Sequence, residues 1–234
     1  MLDFIGTIIT MALMMLIVNA LITFMDISRS TKLTLATLIG LWIGVAAAVA
    51  AAGKLPISKP FPVIGIFVAA PLIAAAIATA WPAARSAMLS VPMPVMIGLN
   101  VVRVFAVLFL LLAVEGRLSG PFPHSAGWGD IITGVFAIPV MRLAKAGGAG
   151  HTTTIMAWNL FGAADLVAAI ALGITSAEGS PLQLFAAPGS AAMQDLPWSF
   201  VPTVLVPIWL VLHAIVAVQL MQHVRSGQPA RATA

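Results

Sequence analysis

The chain contains no cysteine, which removes disulfide bridges, thiolate chemistry and iron–sulfur ligation and leaves its redox compartment open. It is also poor in charge. Only 8% of its residues are charged, against about 25% in a soluble domain, too few to face water on every side. The eleven Lys and Arg are scattered singly, so the net charge of +4 is not a nucleic-acid footprint. No HExxH, P-loop, glycine-rich dinucleotide turn or GxSxG elbow occurs. No catalytic residue, metal ligand or cofactor is assigned. No lysine lies mid-span in the late apolar segments, so a retinal Schiff base has no attachment point.

What the chain does have is long apolar sequence. Hydrophobic residues make up 61% of it, with a mean hydropathy of +1.10. The apolar runs recur at about 20 residues, long enough to cross a bilayer as helices. A membrane barrel would instead alternate in polarity over segments of about ten residues. The expected fold is an all-α polytopic bundle, a single membrane domain over residues 1–234, with spans near 3–24, 33–53, 61–81, 93–115, 126–143, 154–175 and 200–222. The first is read as a retained span because Asp3 stands where a signal peptide needs positive charge.

Loop charge sets the expected orientation. Arg29, Lys32, Arg85, Arg142, Lys145, Arg225 and Arg231 fall on one side, and Lys54, Lys59 and Arg117 on the other. The positive-inside rule puts the N-terminus outside and the C-terminus in the cytoplasm. The segment 176–199, with Glu178 and Asp195 but no Lys or Arg, then lies outside.

Charge within a span costs several kcal/mol, on the order of 2.5–3.5 on insertion scales, so each case needs a partner. Arg103 lies about ten residues into the fourth span, with Asn100 one turn before it, and Asp165 lies about eleven residues into the sixth. The two spans run in one direction, which puts Arg103 and Asp165 at one depth as an ion pair. Snorkelling would ask the arginine to reach an interface about 15 Å away. The pair reads as a lock between helices, a transport or sensing site, or a catalytic pair. Asp130 and His213 are placed on the path above and below it; His213 has no partner histidine at its level and reads as a proton relay or as a hydrogen-bonded helix contact.

At the outer surface, EGRLSGPFPHSAGWGD gathers Glu115, Arg117, His124, Trp128 and Asp130 in a short shaped connection. Trp128 is the expected interfacial anchor, and Asp130 would cap a helix, accept from Arg117 or line an outer vestibule. GWGDIITG at 127–134 echoes GAADLVAA at 162–169, each placing Asp three residues after Gly. Gly40 and Gly44 form a GxxxG that predicts a close helix contact. The lipid bilayer is the expected partner, with a second copy or another protein joining through such glycine-rich faces and no nucleic acid.

The segments VVRVFAVLFLLLAVEGRLSGPFPHSAGWGDIITG, WNLFGAADLVAAIALG and VPTVLVPIWLVLHAIVAVQL together resemble a family of seven-span bacterial inner-membrane proteins with no assigned activity. In that pattern an aromatic often precedes the arginine and a proline precedes AGWGD; here Val102 and Ser125 stand instead. The resemblance implies a bacterial inner membrane and no mechanism. The leading expectation is a small permease- or channel-like protein whose Arg–Asp site handles a proton or small anion. The alternatives are a non-transporting assembly factor or structural subunit, and a membrane enzyme acting on lipid through Glu115, His124 or Asp130.

Overall fold

Prolines and a serine mark where the helices begin. Ser28 caps the helix Arg29–Ala51 by accepting from the Thr31 amide. Pro82, Pro94 and Pro121 sit at the first or second positions of Pro82–Ser90, Met93–Gly98 and Pro121–Ala146, where a missing N–H costs nothing. The computed structural model describes residues 1–55, 63–147 and 149–226. Lys59, Arg231 and the first two residues of the expected third span lie outside them.

The regular structure of the described residues is all helix, with no strand among them. The long elements are α1 (Leu2–Phe24), α2 (Arg29–Ala51), α3 (Val63–Ala78), α4 (Pro82–Ser90), α5 (Met93–Gly98), α6 (Val107–Val114), α7 (Pro121–Ala146), α8 (Thr152–Ser176) and α9 (Val206–Ser226). A 3₁₀ segment, Leu99–Ala106, joins α5 to α6, and a π-turn, Val201–Leu205, opens the last span. Six helices are long and apolar enough to cross a membrane; the pair α3 and α4 is bent by 110°, and counting it as one span gives seven.

The expected boundaries shift most at the fifth span. Its helix starts at Pro121, not 126, because Gly120 turns the chain at φ 70° and hands Pro121 the first helical position. The shaped connection expected over 115–130 therefore shrinks to the turn before Pro121, and His124, Trp128 and Asp130 all stand on α7.

α7 is the hub, packing on α8 and along the entire span from α5 to α6. The approach is backbone to backbone at Gly134, where a Cβ would stand 2.9 Å from the Val104 amide nitrogen and 3.1 Å from the Val101 carbonyl oxygen. α1 and α2 reach this core with fewer residues, Leu13, Met14 and Ile17 from the one and Ala46 and Ala50 from the other. The close contact expected at Gly40 and Gly44 is not made within the described chain: a Cβ on either would meet nothing within 4 Å. α2 is held instead by two directed bonds, one from Lys32 Nζ to the Thr23 carbonyl of α1 at 2.9 Å and one from Trp42 into the bundle. Pro207 has no N–H to give the Thr203 carbonyl one turn back, and the Trp42 indole donates to that oxygen at 3.1 Å.

One end of the bundle is closed by residues 177–200, where Leu112, Leu118 and Trp198 are buried together. There Asp3 accepts from both Arg117 and the Trp198 indole at 2.7 Å, tying the start of α1 to this cap.

Candidate functional site

The 3₁₀ winding of Leu99–Ala106 brings residues three apart into one row, so Asn100, Arg103 and Ala106 face the same way and are buried. Arg103 stands near the middle of its span, with 1% of its surface exposed. Asn100 is anchored by donating to the Met96 carbonyl at 2.9 Å.

Around that guanidinium three helices converge. Its Nε donates to Asp130 Oδ1 of α7 at 2.5 Å, and Nη2 donates to Asp165 Oδ2 of α8 at 2.7 Å. Nη1 donates to His213 Nε2 of α9 at 3.0 Å. Longer contacts reach Asn100 Oδ1 at 3.4 Å and the Gly162 carbonyl at 3.3 Å. The Trp209 ring centre lies 5.7 Å from Arg103 Cζ, within cation–π range. The Trp209 Nε1, also buried, has no acceptor among the described residues.

The bonding pattern fixes the histidine. Arginine only donates, so His213 Nε2 presents its lone pair, and Nδ1 carries the proton. That Nδ1–H meets Asn159 Oδ1 at 2.8 Å, while Asn159 Nδ2 donates back to the His213 carbonyl at 3.0 Å. His213 is therefore a neutral acceptor clamped between α8 and the arginine.

Close approach depends on two missing side chains. A Cβ on Gly129 would overlap the Asp165 carboxylate, and one on Gly162 would stand 2.6 Å from His213 Cε1. On α8 the run Trp158, Asn159, Gly162, Asp165 repeats at three- and four-residue steps and so shares one face. Trp158 completes it by donating to the Thr133 carbonyl of α7 at 3.0 Å.

The electrostatics follow from counting. Two carboxylates face one guanidinium, so with both ionised the cluster holds one negative charge in excess. Such a charge in a low-dielectric interior calls for a proton or a cation. Arg103 has five N–H groups and all have acceptors: Asp130 for Nε, His213 and Asn100 for Nη1, and Asp165 with the Gly162 carbonyl for Nη2, which leaves none free for an anion.

Of the residues singled out in the sequence, Arg103, Asn100, Asp130, Asp165 and His213 come together in this one layer. One expectation is corrected. Asp130 does not accept from Arg117: it lies nine residues into α7, beside Arg103, whereas Arg117 donates to Asp3 and stands 3.8 Å from Glu115. His213, expected to have no partner histidine at its level, is held there by an asparagine and an arginine. Glu115 and Arg117 stay at the capped end, and His124 and Trp128 lie one turn apart on the exposed face of α7. Sequence reasoning missed Asn159, Gly129 and Asp3. The signal for Asn159 was its spacing from Gly162 on the Asp165 face; nothing local marks Gly129 or Asp3. No group of three or more His, Asp or Glu that could hold a metal ion occurs among the described residues.

A family model described as a domain of unknown function (DUF8737) matches residues 60–221, well over half of the chain, and the chain belongs to that family. The match takes in every residue of the Arg103 cluster and leaves α1 and α2 outside it. No curated protein and no solved structure matches the chain.

Proposed function

We propose that this member of the family is a seven-span protein of the bacterial inner membrane that moves protons through the Arg103–Asp130–Asp165 cluster, with its N-terminus outside. One observation carries the reading: a single guanidinium held between two carboxylates at mid-span, on three different helices. A cluster with one excess negative charge takes up one proton and becomes neutral, and buried ionisable residues in membrane spans mark proton or ion paths. The small-anion alternative is the weaker one, because the arginine is already saturated by protein acceptors. The loop cations support the orientation, and counting the bent α3 and α4 as one span supports the seven crossings.

The test is proton flux into proteoliposomes carrying a trapped pH dye, under a potassium diffusion potential. Asp165→Asn keeps the shape and a hydrogen-bond acceptor while removing the excess charge, and is expected to lower flux about tenfold or more. Arg103→Lys keeps charge but cannot reach both carboxylates and His213 together. Wild-type flux equal to that of protein-free vesicles, or unchanged flux in both folded variants, overturns the reading.

A second reading, a non-transporting subunit, draws on α2, whose Gly40 and Gly44 face open space. Recovery of a stoichiometric partner from native membranes, lost in Gly44→Leu, would favour it.

A further inference from the structure

Between Asp130 and the capped end, α3, α6, α7, α8 and the π-turn line a half-open cavity of about 220 Å³. Its walls are mostly apolar, with Val68, Phe109, Phe122, Leu166 and Ile170 among them, and Ser190 and Gln194 are the uncharged residues with polar side chains. On α7 it is lined by Phe122, Ala126 and Asp130, at successive four-residue steps. Eight residues of helix make it about 12 Å long. It exceeds the roughly 150 Å³ in which an apolar cavity holds benzene. A space of that volume and length admits one short hydrocarbon chain.

One end of this shaft is chemically distinct. Asp130 is the one ionisable residue that lines it. Its Oδ1 accepts from Arg103, and its Oδ2 has no donor among the described residues. The residue is 6% exposed, and this cavity borders it. A carboxylate oxygen only accepts, so the ligand atom that meets it must donate. The groups facing Asp130 are Arg103, Asp165 through the shared guanidinium, and neutral His213, which leave the excess charge negative. A cationic donor answers both demands at once. A neutral hydroxyl answers only the first, and an anion neither.

We propose that this cavity binds an apolar molecule bearing one protonated amine, its hydrocarbon body along Phe122, Leu166 and Ile170 and its ammonium donating to Asp130 Oδ2. The inference deepens the proton reading, resting on it for the charge balance of the cluster, and supplies a class of ligand for the same centre.

The measurement is equilibrium dialysis of labelled n-octylamine, n-octanol and octanoate against the full-length protein in nanodiscs, with empty nanodiscs subtracting partition into lipid. Saturable one-to-one binding of octylamine is expected, about tenfold or more tighter than octanol, with no saturable octanoate binding. Asp130→Asn should erase the preference for the amine while keeping weak binding of both neutral and charged chains. Gly173→Leu is the variant remote from the charge cluster: its Cβ would meet the Phe122 ring at 3.6 Å, an ordinary contact, and the longer chain would fill the shaft. It should lower octylamine and octanol binding together. Equal binding of amine and alcohol by the wild type, tighter octanoate, no saturable binding, or octylamine binding untouched by Gly173→Leu each overturn the proposal. Amine binding without proton flux keeps this site and removes the proton reading; flux without amine binding does the reverse.

Discussion

α2 and the last span, Val201–Val224, have nearly the same mean hydropathy, 2.1 and 2.3, yet 11% of the apolar window of one is buried in the protein against 61% of the other. In water such a pair would be told apart by its apolar faces. In a bilayer it is not, because lipid tails are as apolar as leucine and a helix gains nothing by hiding its leucines from them. What separates the two helices is their few polar groups. The last span carries Thr203, His213 and Gln219, all buried, and each bonds to another part of the bundle or to its own backbone. α2 carries one inward bond, from Trp42. Position in this bundle is assigned by hydrogen bonds, not by oiliness.

That contrast can be broken or sharpened by substitution, starting where the effect is greatest. Arg103→Met leaves two carboxylates buried without a cation and should cost about 3–5 kcal/mol, read as loss of folded protein in a denaturant titration in mixed micelles. Gly129→Ala drives a methyl into the Asp165 carboxylate and should cost about 1–3 kcal/mol by the same titration. Trp42→Phe removes the donor to the Thr203 carbonyl while keeping the ring beside Phe67, and should cost about 1 kcal/mol. Gly40→Ala on the open face of α2 should cost nothing and can gain up to about 1 kcal/mol from the better helix former; its thermal midpoint in detergent is the simplest check. If Gly40→Ala proved as damaging as Gly129→Ala, α2 would be buried against something beyond this chain, and the contrast would fail.

The spans were legible because a run of apolar residues long enough to cross a bilayer has few other uses. The helix ends in the structure lie within a few residues of the expected ones for α1, for Met93–Val114 and for α8. The start of α7 was harder, since Gly120 and Pro121 read equally as a loop and as a helix entry. That error of five residues carried into the chemistry: counted from 126, Asp130 is one turn deep and belongs to a rim, whereas counted from Pro121 it reaches the layer of Arg103. Depth matching brought Arg103 and Asp165 together from sequence because both are charges near the centre of parallel-running spans. It could not find Asn159, since an uncharged amide gives no depth warning. Nor did it find the 3₁₀ winding of Leu99–Ala106, a segment that seats tightly against Gly134 of another helix.

The bond from Trp42 to the Thr203 carbonyl joins the most lipid-facing helix to the one bearing His213, ten residues further on. The proline that emptied that carbonyl cannot refill it, so the last span leans on a neighbour for a bond other helices make within themselves. A sideways shift of α2 that keeps this bond carries the entrance of the last span with it. A helix with no group at the polar centre is in this way mechanically geared to it.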